Sequence, residues 1–328
     1  MTGKKLIGMA IALAVLAGIA LMQQTGGQKR RPAAAQDGAT LLQGVELNDI
    51  DGVEIAEGGA SVKLAKKEGQ WVVGSLFDYP VNFKKLADAL RAVAEVAMGS
   101  PVRAANVDPA EYGLDAAKSI ALFRGGKEAV KIEVGARRDA SSGWANQHFV
   151  RKGGADEIYL VDYDFHPFDE TSSDWIDTGL INVSSSDLVS VKVGDVELNA
   201  VSNRWTLADL DAETEEFEPS EANKLRMALQ YLNCTTVADP AQSDADLGFA
   251  DAVVYTASTT NKTYTVTVGG EADNGRYIRL SGDVPDNVKN WTYVVSSYEV
   301  GDFLIGRDKL VKEKEPPEAG PAEEPAAD

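Results

Sequence analysis

The sequence predicts an α+β fold of two tandem similar units, each an antiparallel sheet with one main amphipathic helix, behind an N-terminal transmembrane helix. A repeated phrase is the first observation that predicts it. Residues 131–135, Lys-Ile-Glu-Val-Gly, return as Thr-Val-Thr-Val-Gly at residues 265–269, and a shift of 134 residues also places Trp71 on Trp205. The second observation is that both phrases alternate apolar and polar side chains, as half-buried strands do. Short connections between such strands favour antiparallel hairpins over crossover helices.

The N-terminal residues carry a targeting signal. After the short segment 1–5, residues 6–22 form an apolar run that as a helix would reach roughly 25 Å, the short end of what crosses a bilayer. Such a run is a signal peptide or a signal anchor. The first Ala-x-Ala site beyond the run begins only at Ala33, and no lipobox cysteine follows. We therefore expect an uncleaved anchor and a spacer over residues 23–40.

The first unit is predicted over residues 41–182 and the second over residues 183–311, with a hinge near residues 178–186. Each unit begins with a hairpin whose second strand carries the repeated tryptophan. The predicted hairpin strands are residues 61–65 with 70–73, and residues 196–200 with 204–207, with Gly69 and Asn203 in the turns. We interpret Trp71 and Trp205 as core anchors of their units rather than as ligand platforms.

A main helix follows each hairpin, because leucines or valines recur at intervals of four and three residues. Leu86, Leu90 and Val93 predict a helix near residues 82–97, and Leu225, Leu229 and Leu232 predict one near residues 219–232.

A short helix comes next in each unit, over residues 108–111 and 243–246, and it ends at a glycine, Gly113 or Gly248. The repeated phrase then forms a strand. Its apolar face is predicted to be Val130, Ile132 and Val134 in the first unit and Tyr264, Val266 and Val268 in the second. Residues 312–328 are acidic and proline-rich without aromatic or β-branched side chains, so we expect a disordered tail.

Charge and composition exclude several classes of function. The net charge is −19, from 51 acidic and 32 basic side chains, which argues against nucleic acid and anionic lipid surfaces as partners. Cys234 is the only cysteine, so neither an internal disulfide nor a thiolate metal cluster is available. No phosphate-binding loop of the Gly-x-x-x-x-Gly-Lys type occurs, so the chain is not itself a transporter ATPase of that type.

One stretch concentrates side chains that could carry chemistry. Asp162, Asp164, His166, Asp169 and Glu170 lie within nine residues. Their order matches neither a calcium-binding loop nor a zinc-protease helix. We interpret the stretch as the solvated end of a strand, with Phe165 and Phe168 as packing residues.

The other reactive residues have simpler interpretations. His148 is predicted at the surface beside a core aromatic, and Cys234 as a buried, inert thiol at the end of an apolar helix face. Val134 to Arg138 resembles an anion-binding nest, but a hairpin turn explains it with fewer assumptions. The sequence thus predicts no catalytic, cofactor-binding or metal-ligating residue, and no cofactor.

Several short motifs carry a family resemblance. They are Trp71 after a strand, Glu-Tyr-Gly-Leu at residues 111–114, Ile-Glu-Val-Gly at 132–135, His-Phe-Val-Arg at 148–151 and Ile-Tyr-Leu-Val-Asp at 158–162. In these the chain resembles the bacterial family known only as domain of unknown function DUF4340. The resemblance implies a membrane-anchored protein facing the extracytoplasmic space, associated with ABC transporters of the gliding-motility auxiliary type. It brings no catalytic residues with it.

We therefore expect a single-pass protein of the bacterial inner membrane, with its folded region in the periplasm or extracytoplasmic space. Its predicted function is that of a non-enzymatic accessory or interaction protein of an ABC-type transport system, with a permease or auxiliary subunit as partner. The alternative is a protein that binds a small ligand or a polysaccharide in the cleft between the units. A hydrolase is the least favoured alternative, because no catalytic motif such as Gly-x-Ser-x-Gly occurs.

Overall fold

The computed structural model describes residues 39–99, 101–102, 108–138, 146–202 and 204–314. The predicted anchor at residues 6–22, Asn203 and residues 315–328 lie outside the described residues. Among the described residues, no helix combines the length and the apolar character that crossing a membrane requires.

Two eight-stranded antiparallel sheets dominate a mixed α+β fold. The strands of the first sheet are β1 (Gly52–Glu57), β2 (Ala60–Lys67), β3 (Gln70–Val73), β4 (Tyr79–Pro80), β5 (Lys118–Arg124), β6 (Lys127–Arg137), β7 (Gln147–Lys152) and β8 (Ile158–Asp162). The next strands are β9 (Gly179–Ile181), β10 (Leu188–Val193), β11 (Val196–Val201), β12 (Arg204–Leu207), β13 (Glu215–Phe217), β14 (Leu232–Asn233) and β15 (Thr236–Val237). The last are β16 (Val253–Thr259), β17 (Thr263–Ala272), β18 (Gly275–Gly282), β19 (Tyr293–Val295) and β20 (Val311–Glu313).

The strand order is β4-β3-β2-β1-β5-β6-β7-β8 in the first sheet and β12-β11-β10-β16-β17-β18-β19-β15 in the second. The first strand of each sheet lies at an equivalent place, between its hairpin partner and the strand that follows the helix. Val53 thus faces Leu64 and Leu122, as Val191 faces Leu198 and Ala257. Both predicted hairpins are confirmed, and Trp71 and Trp205 occupy the same position in β3 and β12, each half-buried against the core.

The main helix of the first sheet, α1 (Phe83–Ala94), matches its prediction. Asn82 caps it by accepting a 3.1 Å hydrogen bond from the Lys85 amide. Leu86, Leu90 and Val93 are buried, as their spacing predicts.

The helix of the second sheet, α2 (Pro219–Met227), is five residues shorter than predicted, ending at Met227 instead of Leu232. Tyr231 takes a left-handed conformation with φ of 56°, which turns the chain into β14. Leu229 and Leu232 are still buried, but they pack from the turn and from β14. Two short helices follow in the second half, α3 (Ser297–Gly301) and α4 (Arg307–Leu310).

A close approach of backbone explains why each copy of the repeated phrase ends in glycine. A Cβ on Gly135 would collide with the carbonyl oxygen of Tyr112, and one on Gly269 would lie 2.7 Å from the carbonyl oxygen of Leu247. Those carbonyls precede Gly113 and Gly248, which both adopt left-handed φ angles, 67° and 69°.

The segment before Gly113 is a 3₁₀ helix, Pro109–Tyr112, capped by Asp108. Its counterpart at residues 243–246 was predicted as a helix but is a turn. Ser243 and Asp246 still bond reciprocally there, Oγ to Oδ2 at 2.6 Å and Asp246 amide to Ser243 Oγ at 3.2 Å. The capping pair is thus satisfied without a helix to cap.

The predicted hinge near residues 178–186 is wrong in the structure. Strand β9 pairs with β14, the Cys234 amide donates to the Thr178 carbonyl at 2.9 Å, and the Val183 amide donates to the Leu229 carbonyl at 3.0 Å. Leu180 and Val183 are buried. The segment is therefore fixed by main-chain bonds to the chain beyond α2.

Both ends of the folded region extend further than predicted. Thr40, assigned to the spacer, forms a β-bridge with Ala97. Lys312 and Glu313, assigned to the disordered tail, belong to β20, which pairs with β13. Pairing supplies these polar residues with backbone partners that their composition does not reveal.

Candidate functional site

The acidic stretch at residues 162–170 does not converge on a site. Asp162, Asp164 and His166 are exposed, whereas Phe165 and Phe168 are buried, which confirms the packing role of the two phenylalanines. Asp164 accepts a hydrogen bond from the His166 amide, so its carboxylate shapes its own turn. The described residues contain no group of three or more His, Cys, Asp or Glu side chains arranged to hold a metal.

Lys118 ties this loop to the first sheet. Its Nζ lies 2.9 Å from Glu57 and 3.2 Å from Glu170, and it donates to the Phe168 carbonyl at 2.9 Å. Burial by itself lowers the pKa of Lys118, but the two carboxylates outweigh burial and raise the pKa. The lysine thus stays charged and joins β1, β5 and the loop.

Two further carboxyls of the loop have opposite pKa shifts. Burial acts to raise the pKa of Asp169, but hydrogen bonds from Thr171, with Lys118 nearby, outweigh it and lower the pKa. Burial raises the pKa of Asp174, and the neighbouring Asp169 carboxylate raises it further. The Asp169 carbonyl accepts from the buried Trp175 indole at 2.7 Å, so this pair belongs to the packing of the loop.

The remaining reactive residues have structural roles. His148 is half-buried rather than at the surface, with Nδ1 2.9 Å from the Tyr163 carbonyl and its ring edge-on to Phe165. Cys234 is buried as predicted, and burial raises the pKa of its thiol to about 12, although it follows β14 and not a helix. The turn predicted at residues 134–138 is wrong, because β6 runs on to Arg137 through a bulge.

The place between the two sheets, where a cleft was expected, is packed with aromatic rings. Tyr79 of β4 meets Trp291 edge-on at 4.8 Å between ring centroids and Tyr293 of β19 at 6.3 Å. Tyr79 and Tyr293 are buried, and burial raises the pKa of both hydroxyls. We call Tyr79, Trp291 and Tyr293 the aromatic junction.

The outward faces of the two sheets share one feature, an ion pair with its signs exchanged. On the first sheet Lys63 of β2 lies 3.4 Å from Glu54 of β1. At the equivalent positions of the second sheet Glu197 of β11 lies 3.5 Å from Lys192 of β10. The exchange keeps the cross-strand attraction while replacing both side chains.

Beyond that pair, the two outward faces differ. The first sheet places Ala121, Lys131 and Glu133 where the second places Thr256, Thr265 and Thr267. A groove of about 400 Å³ lies on the second face, lined by Lys192, Gly194, Ala252, Val253, Val254 and Thr256.

The second sheet also has an open edge. Strand β3 is bordered by β4, but its counterpart β12 ends its sheet in the described part of the chain. The Ala208 amide donates to the Glu197 carbonyl at 2.8 Å, and antiparallel pairs alternate, so the peptide groups of Trp205 and Leu207 point away from β11. Trp205 is covered on one side by the Arg226 guanidinium, 4.6 Å from its ring centroid.

The comparisons with known proteins identify a family. The family model described as Domain of unknown function (DUF4340) matches residues 71–252, more than half of the chain. The chain belongs to this family. The DUF4340 match begins at Trp71 in β3 and ends just before β16, so it includes residues of both sheets. Comparison with curated proteins and with solved structures finds no match.

Sequence reasoning missed the aromatic junction; it proposed binding through exposed sheet edges but did not identify β12 as the open one. Tyr79 follows two consecutive residues with left-handed φ, Phe77 and Asp78, which no local pattern indicates. The outward threonines were visible as the polar half of the alternation in Thr-Val-Thr-Val-Gly, but their register against β16 and β18 was not.

Proposed function

We propose that this DUF4340 protein is a non-enzymatic accessory protein of an ABC-type transport system, held in the bacterial inner membrane by residues 6–22. Its folded part lies in the periplasm or extracytoplasmic space and binds a permease or auxiliary subunit. In this proposal the ectodomain consists of two similar units descended from one ancestral unit, residues 41–182 and 183–311, with Thr40 added at one end and Lys312 and Glu313 at the other. The family resemblance supports the transport association and the anchor.

The open edge of β12 is the observation that carries the binding part of the proposal. Outward-pointing peptide groups at Trp205 and Leu207 offer main-chain donors and acceptors to an added strand, which is an inexpensive way to bind an extended segment. Arg204 and Thr206 are exposed beside them and provide side-chain selectivity.

Photo-cross-linking in membranes tests this use of the edge. A benzoylphenylalanine at Arg204 or Thr206 is expected to form an adduct with a transporter subunit, identified by mass spectrometry. The matched control carries the same side chain at Ser61, exposed on β2 of the first sheet. Adducts of equal yield at Ser61, or adducts with the protein itself alone, would contradict the proposal.

Protease protection tests the proposed location. Trypsin added to spheroplasts is expected to digest the folded part, whereas in intact cells it remains protected. Protection in both preparations would place the folded part in the cytoplasm.

The ligand-binding alternative has less support at the cleft between the units, because the aromatic junction fills that place. The hydrolase alternative is weakened by His148, whose Nδ1 faces a backbone carbonyl rather than a nucleophile.

A further inference from the structure

The outward face of the second sheet carries ordered rows of hydroxyl and amide side chains. The cross-strand partners give one row of Thr206, Asn199, Ser190, Ser258 and Thr263. A second row contains Glu197, Lys192, Thr256, Thr265 and Ser281. Neighbouring members of a row stand roughly 4.8 Å apart, the distance between paired strands.

Three hydroxyls of this face are available to a ligand, those of Thr256 and Thr265 in the second row and that of Thr267, which pairs with Val254 beside that row. Within the described residues, no hydrogen bond engages the side chains of Thr256, Thr265 or Thr267, although each is only half-buried. Their counterparts on the first sheet are different in kind. Glu133 is bonded to Arg151 at 2.6 Å, and Ala121 has no polar group and is buried on its outward face.

The two charged side chains of the second row are paired with each other. The chain carries a net charge of −19, yet the carboxylate of the second row, Glu197, is paired with Lys192. The Arg279 guanidinium beside Thr267 is likewise paired with Asp244, at 2.7 Å. A neutral partner at the second row therefore meets charges that are already paired with each other.

The groove adds an apolar floor to the hydroxyl rows. Val254 is about half exposed, and with Ala252 and Gly194 it forms a shallow wall next to Lys192 and Thr256. A sugar ring presents an apolar C–H face and a rim of hydroxyls, so it complements a floor and rim of this kind. The spacing of neighbours within a row, roughly 4.8 Å, is also close to the length of one hexose in an extended chain.

We propose that the outward face of the second sheet binds a neutral polysaccharide, with the groove at β10 and β16 seating one sugar ring and the threonine rows bonding its neighbours. Each contact is weak by itself, and repeated contacts along the polymer supply the affinity. Strand β11 separates the groove at β10 and β16 from the open edge of β12, and this proposal does not depend on the proposed transport partner.

Affinity electrophoresis of the detergent-solubilised full chain tests the proposal, with dextran, laminarin or hydroxyethylcellulose cast in the gel. The test variant is Thr256→Ala/Thr265→Lys/Thr267→Glu, which installs the residues found at the same positions of the first sheet. Because the first sheet folds with those residues, the variant is expected to keep its melting temperature. We expect at least one of the three polymers to retard the wild type, and the variant to bind it about tenfold more weakly or not at all.

The control variant is Ser119→Ala, on the outward face of the first sheet, which is expected to bind like the wild type. Lack of retardation by all three polymers would overturn the proposal, as would equal retardation of the triple variant. Sedimentation velocity of the wild type and the triple variant tests whether this face instead joins two copies of the chain. If the triple substitution converts a dimer into a monomer, the face joins two copies of the chain and the polysaccharide proposal is wrong.

Discussion

At the residue scale, the most constrained positions are the glycines that end the repeated phrase. Gly135 and Gly269 each lie against a carbonyl that precedes a left-handed glycine, so the strand and the turn before it are packed backbone to backbone. The glycine of the Val-Gly motif is therefore required for steric reasons and has no catalytic role in this account. Side chains at these positions would have to push the turn away from the sheet.

Substitution of these glycines tests that constraint. Gly135→Ala and Gly269→Ala are each expected to lower the free energy of unfolding by about 1–3 kcal/mol, because the added methyl group overpacks a rigid contact. Urea denaturation followed by circular dichroism measures the loss.

Gly301→Ala is the matched control for those variants. Gly301 has a helical φ of −53°, and a Cβ placed there has no atom within 4 Å. We expect it to be neutral or to stabilise by about 0.4–1 kcal/mol. If Gly135→Ala is as stable as Gly301→Ala, the turn at Tyr112 moves away from the added methyl group without loss of stability.

At the scale of elements, local patterns predicted the helices and hairpins that local interactions decide. Helix α1 has both a buried stripe and a cap at Asn82, and its prediction was correct within three residues. Helix α2 has the stripe, but β14 competes for its last turn by pairing with β9. That pairing joins residues about fifty positions apart, which periodicity within a window does not detect. The same reason hid the pairing of β20 with β13.

The cap of α1 gives a prediction at this scale. Asn82→Ala removes the acceptor for the Lys85 amide and is expected to cost about 0.5–2 kcal/mol of stability. Asn82→Ser keeps an acceptor and is the control, with an expected loss of a few tenths of a kcal/mol. Thermal unfolding of the two variants measures the difference. Equal melting temperatures would show that the Asn82 cap does not stabilise α1.

At the scale of the whole molecule, the two sheets share one continuous core. The buried residues of both sheets form a single cluster, and the aromatic junction lies within it. The sequence predicted the two halves from the repeat, but not the contact between them. Tyr79 begins the two-residue strand β4, and Trp291 lies in the loop before β19, so neither belongs to a periodic pattern.

We predict that the two sheets unfold together because of this junction. Tyr79→Ala removes a buried ring that contacts both Trp291 and Tyr293, at a cost of about 3–5 kcal/mol, and is expected to split one calorimetric transition into two. Tyr79→Phe keeps the ring and should retain a single transition. A single transition in the alanine variant, with equal calorimetric and van't Hoff enthalpies, would show that the coupling lies elsewhere.

The pairing of β20 with β13 has a consequence for biosynthesis. The first sheet has all its strands once Asp162 has left the ribosome, but the second unit lacks a partner for Glu215–Phe217 until Val311–Glu313 has been made. Domains fold in the order of their synthesis, so we expect the nascent protein to pass through a state in which the first sheet has all its strands while β13 still lacks its partner. A product that ends before Val311 cannot form this pair, so we expect proteases to cleave it more readily than the full chain.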